Sequence, residues 1–115
     1  MSIQLKSIYD APSADDGHRV LATQYWPRGV RKGAVDDYIR VLAPSRELLR
    51  AFKDDAIGWD EFSRRYRAEI ADRAEAPSEI ERLRGIGERE TVTLMCTCRD
   101  SEHCHRTLLK ALIKG

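Results

Sequence analysis

The sequence predicts a compact three-layer α/β domain with a small, at least partly parallel sheet that is flanked by helices. Segments with strand patterns come first, helical patterns fill the middle, and a strand followed by a helix closes the chain. The 115 residues correspond to a single domain, spanning 1–115. A chain of this size can bury roughly two-thirds of its unfolded surface, so its core needs no disulfide bonds.

Three strand patterns precede the helices. Residues 3–9 alternate with a period of two, and residues 18–26 carry β-forming side chains up to Pro27, which ends the strand. Residues 37–43 fit either a helix or a strand. We favour a strand there, because Pro44 closes the segment and β-branched side chains fill it.

Helical patterns occupy the middle of the chain. Ser45 is a suitable N-cap for the first helix, and Gly58 opens a longer one. The longer helix has an apolar stripe at a spacing of three and four residues, made of Trp59, Phe62, Tyr66 and Ile70. Ser78 and Glu81 have the spacing of a capping box, which predicts a third helix starting there. That helix is expected to end at two glycines, Gly85 and Gly87.

A strand and a helix close the chain. Residues 91–98 form the strand, whose alternation predicts that the thiols of Cys96 and Cys98 lie on the same face. Residues 107–114 have a helical pattern, for which Asp100 and Ser101 are suitable N-caps.

Charge and hydropathy limit the classes of function. Twenty basic and nineteen acidic side chains leave a charge of +1. This balance argues against nucleic-acid binding by bulk charge. A local basic patch is still compatible with a net charge near zero. No apolar run approaches the roughly 20 residues that span a bilayer, so no membrane partner is expected. Because the first residues also lack the apolar core of a secretion signal, we expect a cytoplasmic protein with reduced thiols.

The unusual chemistry is concentrated near the end of the chain, where residues 96–105 hold all three cysteines and two of the three histidines. If strands 18–26 and 91–98 run parallel, their carboxyl ends meet at the edge of the sheet where α/β proteins bind ligands. Arg28 and Arg106 would then clamp an anionic group at the N-terminus of the last helix. This hypothesis predicts a small phosphate-like ligand that is bound by Trp26, Arg28, Cys104, His105 and Arg106.

A thiol nucleophile beside that pocket would make the protein an enzyme, with Cys98 as its catalytic residue. The spacing of cysteine and arginine does not match the loop of cysteine phosphatases, because that loop places five residues between the two. Seven residues separate Cys98 from Arg106, and none of them is glycine. Whether the protein is an enzyme therefore stays open.

A metal site is the alternative for the same residues. Cys96, Cys98, Cys104 and His105 offer enough soft donors for tetrahedral zinc. Their spacing, C-x-C-x5-C-H, lacks paired C-x2-C motifs, and neighbours on a helix would point about 100° apart. The anion-pocket hypothesis needs no cofactor. The alternative function is that of a non-catalytic module that mediates interactions or associates with nucleic acid. Its Cys/His cluster would then be structural, either bound to zinc or simply packed in the core.

Three segments resemble a known family. They are Tyr-Trp-Pro-Arg-Gly-Val at residues 25–30, Ala-Pro-Ser followed by Glu-Leu-Leu-Arg-Ala-Phe within residues 43–52, and Thr-Leu-Met-Cys with Cys-His-Arg within residues 93–106. Together they resemble the YeaO-like family of small bacterial cytoplasmic proteins, a domain of unknown function. The resemblance runs nearly end to end. It implies a small cytoplasmic α/β domain, and it brings no established reaction or substrate.

Overall fold

A computed structural model describes residues 2–98 and 103–115 of the chain. Within that part, the strands are β1 (Ile3–Ser7), β2 (His18–Leu21), β3 (Asp37–Tyr38) and β4 (Val92–Cys96). The α-helices there are α1 (Arg46–Lys53), α2 (Trp59–Asp72), α3 (Ala76–Gly87) and α4 (His105–Lys114). The strands form one parallel sheet in the order β1-β4-β2-β3. The predicted α/β class is therefore confirmed.

The last strand in the chain, β4, is an inner strand of the sheet. Its first residue, Val92, pairs with Ile3 of β1 on one side and with His18 of β2 on the other. All five residues of β4 are buried, as expected for a parallel strand that is covered on both faces. The second and last strands run parallel, which was the condition of the pocket hypothesis. Their carboxyl ends consequently lie at the same edge of the sheet.

The two faces of the sheet are covered differently. On one face, all four helices contribute to a single apolar core, which includes Val20, Leu48, Phe62, Leu83, Leu94 and Leu109. On the other face, Leu21 and Met95 pack against side chains between β2 and the end of β3, namely Trp26, Val30, Val35 and Tyr38. The third layer is thus formed by this connecting segment and not by an α-helix. No helix in residues 2–98 and 103–115 is both long and apolar enough to cross a membrane.

All four predicted strands are shorter than the sequence suggested, and two of them lose more than half of their residues. The strand expected over residues 18–26 ends at Leu21, and the Thr23 hydroxyl then donates to the Tyr25 carbonyl in a bend. The strand expected over residues 37–43 keeps only Asp37–Tyr38, and a 3₁₀ turn, Arg40–Leu42, follows. β3 pairs only with β2, so it loses its hydrogen-bonding partner where β2 ends.

The helix boundaries confirm some local signals and overturn others. Ser45 caps α1 by accepting the Leu48 N–H at 3.2 Å, and Gly58 precedes α2, as predicted. The capping box at Ser78 is wrong: α3 begins earlier, and the Ser78 hydroxyl donates to the Glu75 carbonyl. Gly85 lies inside α3, which ends at Gly87. The N-cap of α4 is Cys104, while the expected caps Asp100 and Ser101 lie outside the described residues.

Candidate functional site

A cavity of about 230 Å³ opens at the carboxyl ends of β2 and β4. We call it the strand-end cavity. Its apolar walls come from the segments that follow β2 and precede α1, and from α1 itself: Ala22, Trp26, Pro27, Ala43, Pro44 and Leu49. Its polar lining includes Gln24, Arg46, Lys53, Cys96, Cys98 and His105. The cavity therefore lies where ligands bind in parallel α/β sheets.

Three thiols and one imidazole meet at the inner end of this cavity. We call these residues, Cys96, Cys98, Cys104 and His105, the Cys–His cluster. The Cys96 and Cys104 sulfurs lie 3.3 Å apart, and both residues are buried. Because β4 ends at Cys96, the chain bends there, so that the Cys98 N–H donates to the Cys96 sulfur at 3.3 Å. The Cys98 thiol hydrogen-bonds to Cys104 and is itself half-buried.

The imidazole of His105 is fixed by a backbone partner. His105 is buried, and its Nε2 lies 2.7 Å from the carbonyl oxygen of Ala22, just beyond β2. A carbonyl oxygen only accepts, so Nε2 carries a proton, and Nδ1 is the acceptor of the neutral ring. Nδ1 lies 3.6 Å from the Cys104 sulfur. The ring therefore directs Nδ1 at the cluster, where this nitrogen accepts in the neutral ring and donates to the Cys104 sulfur in the charged ring.

Arg106 stabilises the cluster from inside the fold. Its side chain is 1% exposed, and its Nε–H donates to the Cys104 sulfur at 3.3 Å. Its other nitrogens donate to the Lys6 carbonyl and, at 3.0 Å, to the Cys98 carbonyl. Arg106 does not line the strand-end cavity. The direct ligand contact expected for this residue is thus replaced by contacts with β1, with the segment after β4 and with Cys104.

The hydrogen bonds within the cluster determine which sulfur is the thiolate. Donation from the Cys96 and Cys98 thiols lowers the pKa of Cys104 far below its ordinary value; burial opposes this shift, and His105 reinforces it. The same bonds to Cys104 raise the pKa of Cys96 and of Cys98. These bonds therefore favour Cys104 as the first of the three thiols to ionise. The catalytic role suggested for Cys98 stays a prediction.

The structure brings together most of the residues that were expected at the site. Trp26 and His105 line the strand-end cavity, and Cys104 lies behind it in the cluster. Arg28, by contrast, is exposed in the turn after Pro27 and does not line the cavity. The expected pair of Arg28 and Arg106 therefore does not face this cavity.

Two cations that the sequence analysis missed line the cavity in their place. Arg46 and Lys53 are exposed on α1, seven residues apart and so on the same helical face. The Arg46 guanidinium carbon lies 5.7 Å from the centre of the Tyr25 ring. Within the described ranges, neither cation forms a salt bridge. The helical spacing after the Ser45 cap could have shown that both side chains share one face of α1. It could not have shown that this face lies against the strand ends.

The cluster also has the composition of a metal site. The donor atoms of Cys96, Cys104 and His105 all lie within 4.8 Å of one another. The side chains of Cys104 and His105 were expected to point apart, and this prediction is wrong. Cys104 is the extended N-cap of α4, with φ −139° and ψ 150°, and not a helical residue. Its sulfur and the His105 Nδ1 can therefore converge.

Known proteins resemble the chain over nearly its full length. The protein named uncharacterized protein YeaO, from Escherichia coli (strain K12), is 32% identical over 111 residues, which are 95% of this chain and 94% of YeaO. Uncharacterized protein Rv3073c from Mycobacterium tuberculosis (strain ATCC 25618 / H37Rv) is 33% identical over 115 residues, or 98% of this chain and 94% of the relative. No solved structure matches significantly. The predicted YeaO-like resemblance is confirmed. Residues 3–115 match the active DUF488-N3 subclade, DUF488-N3a, and the chain therefore belongs to this family.

Proposed function

We propose that this protein binds a small anionic molecule in the strand-end cavity, with the anionic group at Arg46 and Lys53. The observation that carries the proposal is the position of these two cations on a cavity that ends at the Cys–His cluster. An arginine and a lysine without carboxylate partners in the described residues are suited to a carboxylate or phosphate group.

The shape of the cavity supports an amphipathic ligand. Trp26, Pro27, Pro44 and Leu49 give it apolar walls, and such walls with a few placed polar groups are typical of small-molecule sites. Its 230 Å³ is below the roughly 300–1,000 Å³ of sites for drug-sized molecules. The ligand is consequently a small molecule with a short apolar body and one anionic group.

The inner end of the cavity is the part that can react with such a ligand. Cys98 and His105 reach it, and the Cys104 thiolate lies behind them. The description of the matched subclade as active agrees with a working site. An enzyme that acts on a small anion and a protein that only binds it must both first bind the anion. Binding at Arg46 and Lys53 is what we test.

A thermal-shift titration with phenyl phosphate, inorganic phosphate and phenol tests the proposal, at an ionic strength held constant with chloride. We expect phenyl phosphate to raise the melting temperature more than phosphate does, and phenol to have little effect. The gain should be lost in the double variant R46A/K53A. Arg50→Ala is the matched control, because Arg50 is exposed on the same helix but does not line the cavity.

Two results would contradict the proposal. One is the absence of any anion-dependent stabilisation in the wild-type protein. The other is an equal response in the wild-type and R46A/K53A proteins. A response that disappears in Arg28→Ala, while R46A/K53A keeps it, would place the anion at the exposed turn that the sequence had suggested.

A further inference from the structure

We propose that the Cys–His cluster is a metal site, in which Cys96, Cys104, His105 and Cys98 hold a zinc-type divalent cation at the inner end of the strand-end cavity. Three thiolates and one imidazole are a donor set that zinc binds in tetrahedral geometry. The proposal does not depend on anion binding, because Arg46 and Lys53 are not among the ligands.

The distances between the donor atoms fit a tetrahedral ion. With Zn–S bonds of about 2.3 Å and Zn–N bonds of about 2.0 Å, two sulfur ligands are about 3.8 Å apart, and a sulfur and a nitrogen are about 3.5 Å apart. Cys104 and His105 already have their donor atoms at 3.6 Å, and the Cys96 and Cys104 sulfurs lie 3.3 Å apart. The site therefore needs to open by only about half an ångström between the two sulfurs.

The orientation of His105 is a second and independent observation. Metal-binding histidines commonly donate their other ring N–H to a carbonyl or carboxylate, which fixes the tautomer and the ring. His105 does this through Nε2 and the Ala22 carbonyl at 2.7 Å. The ring is thereby held with Nδ1, the nitrogen that would bind the metal, towards the two buried sulfurs. A histidine that only filled space in the core would also need a partner for Nε2, so it is the position of Nδ1 beside the sulfurs that points to a metal.

The surroundings balance the charge that such a site would carry. Three thiolates and a divalent cation sum to one negative charge, and the buried Arg106 contributes one positive charge. Arg106 donates to the Cys104 sulfur, and the Cys98 N–H donates to the Cys96 sulfur. Donors of this kind around sulfur ligands tune and orient the first shell of a metal. A buried arginine beside a metal is therefore compatible with this donor set.

Cys98 is the ligand that connects the metal to the strand-end cavity. Cys96, Cys104 and His105 are buried, whereas Cys98 is half-buried and lines the cavity. Its thiol hydrogen-bonds to Cys104, but its sulfur is not among the donor atoms that lie within 4.8 Å of one another, so the Cys98 side chain has to move to reach a shared ion. We expect the other three ligands to be required for binding and Cys98 to set the affinity.

Cobalt titration of metal-free protein, prepared with a thiol reductant, tests the proposal. We expect one equivalent of Co²⁺ to bind with the strong visible bands of tetrahedral cobalt and a thiolate-to-metal charge-transfer band, and Zn²⁺ to displace it. The double variant C96S/C104S should lose both signals, and Cys98→Ser should bind at least about tenfold more weakly. His103→Ala is the matched control, since His103 packs against the Trp59 ring, 5.1 Å away, outside the donor set.

The proposal is overturned if folded, reduced wild-type protein binds neither cobalt nor zinc, or if C96S/C104S binds as the wild type does. Circular dichroism shows whether each variant is folded. If C96S/C104S does not fold, an unchanged spectrum and affinity in Cys98→Ser overturn the four-ligand site. Repeating the phenyl phosphate titration on metal-free protein separates the two proposals, because an anion response without metal leaves the anion site intact.

Discussion

The guanidinium of Arg106, in the first turn of α4, donates to the carbonyl oxygen of Lys6 on β1, 100 residues earlier in the chain. The same side chain donates to the Cys98 carbonyl and to the Cys104 sulfur. One buried residue thus connects an outer strand of the sheet, the segment after β4 and the thiolate of the cluster.

Arg106→Ala should therefore lower the free energy of unfolding by about 3–5 kcal/mol, because it leaves buried acceptors and a buried thiolate without their donor. Arg106→Lys should have a smaller effect, since an ammonium keeps the charge, but its donors sit on one nitrogen and cannot reach all three acceptors that the guanidinium spans. Urea unfolding measures both changes. The exposed Arg28→Ala should stay within about 0.5 kcal/mol of the wild type. An equally mild effect of Arg106→Ala would contradict this role.

Tyr66→Phe isolates one hydrogen bond in the core. The Tyr66 side chain is fully buried, and its hydroxyl donates to the Leu42 carbonyl at 2.7 Å. Removing the donor should lower the free energy of unfolding by about 1–3 kcal/mol, with the rings of the core still in place. Tyr9→Phe is the matched control, because the Tyr9 hydroxyl is exposed and its contact with the Arg28 carbonyl is 3.5 Å long. Equal effects of the two substitutions in chemical denaturation would refute the prediction.

Asp16 should make the protein sensitive to acid. Burial alone would raise the pKa of Asp16, but hydrogen bonds from Lys6 and from the Ser13 N–H outweigh it, and the pKa lies below its ordinary value of 3.8. The folded state therefore binds the proton less tightly than the unfolded state does. The stabilisation is complete above the unfolded pKa, and it is lost as the pH falls through the folded pKa.

Unfolding free energies measured from neutral pH down to about pH 2 should accordingly decline below about pH 4 in the wild type. Asp16→Asn should be less stable at neutral pH and should show a shallower decline. Asp15→Asn is the control, since that neighbouring carboxylate is exposed. A decline in Asp16→Asn as steep as in the wild type would show that other carboxylates, such as Asp37 beside Arg82 and His18, cause it.

Gly17 is required by the backbone, whereas Gly85 is not. Gly17 has φ +62°, and a Cβ there would lie 2.2 Å from the Thr91 carbonyl oxygen. That oxygen accepts the His18 N–H, so it cannot move away without weakening the start of β2. Gly17→Ala should lower the free energy of unfolding by more than about 3 kcal/mol.

Gly85→Ala should have the opposite effect. Apart from the chain neighbours and the local helix backbone, no atom lies within 4 Å of the added Cβ. The residue is helical, so the variant should be more stable by up to about 1 kcal/mol. Thermal unfolding of the two variants gives the comparison. The explanation fails if Gly17→Ala is as stable as the wild type.

The sequence predicted those features that depend only on residues close to one another in the chain. The Ser45 cap and the Gly58 start were correct, because both depend on the backbone of one turn. Gly85 was misjudged as a helix end, since a glycine inside a helix costs only about 1 kcal/mol and the packing of α3 exceeds that. The end of β2 at Leu21 depends on how its neighbours pair, which no local pattern contains.

The location of the Cys–His cluster was predictable from the sequence, and the residues around it were less so. The parallel arrangement of β2 and β4, which was a condition of the pocket hypothesis, is present, and it puts the Cys–His cluster at the carboxyl edge of the sheet. Arg46 and Lys53 could not be assigned to it, because their position depends on how α1 packs across the strand ends. Arg106 was expected to face a ligand, and only its burial shows that it faces the interior.

The strand order also has a consequence for how the protein is made. β1 and β2 have no hydrogen bonds to each other, because β4, which is synthesised last, lies between them. A nascent chain that has not yet exposed residues 92–96 on leaving the ribosome therefore holds β1 without a strand partner, and β2 paired only with β3 and open along its other edge. Such edges are prone to pair with other chains. We expect ribosome-bound intermediates of this protein to need protection until β4 is released, and both the sheet and the Cys–His cluster to form together at that moment.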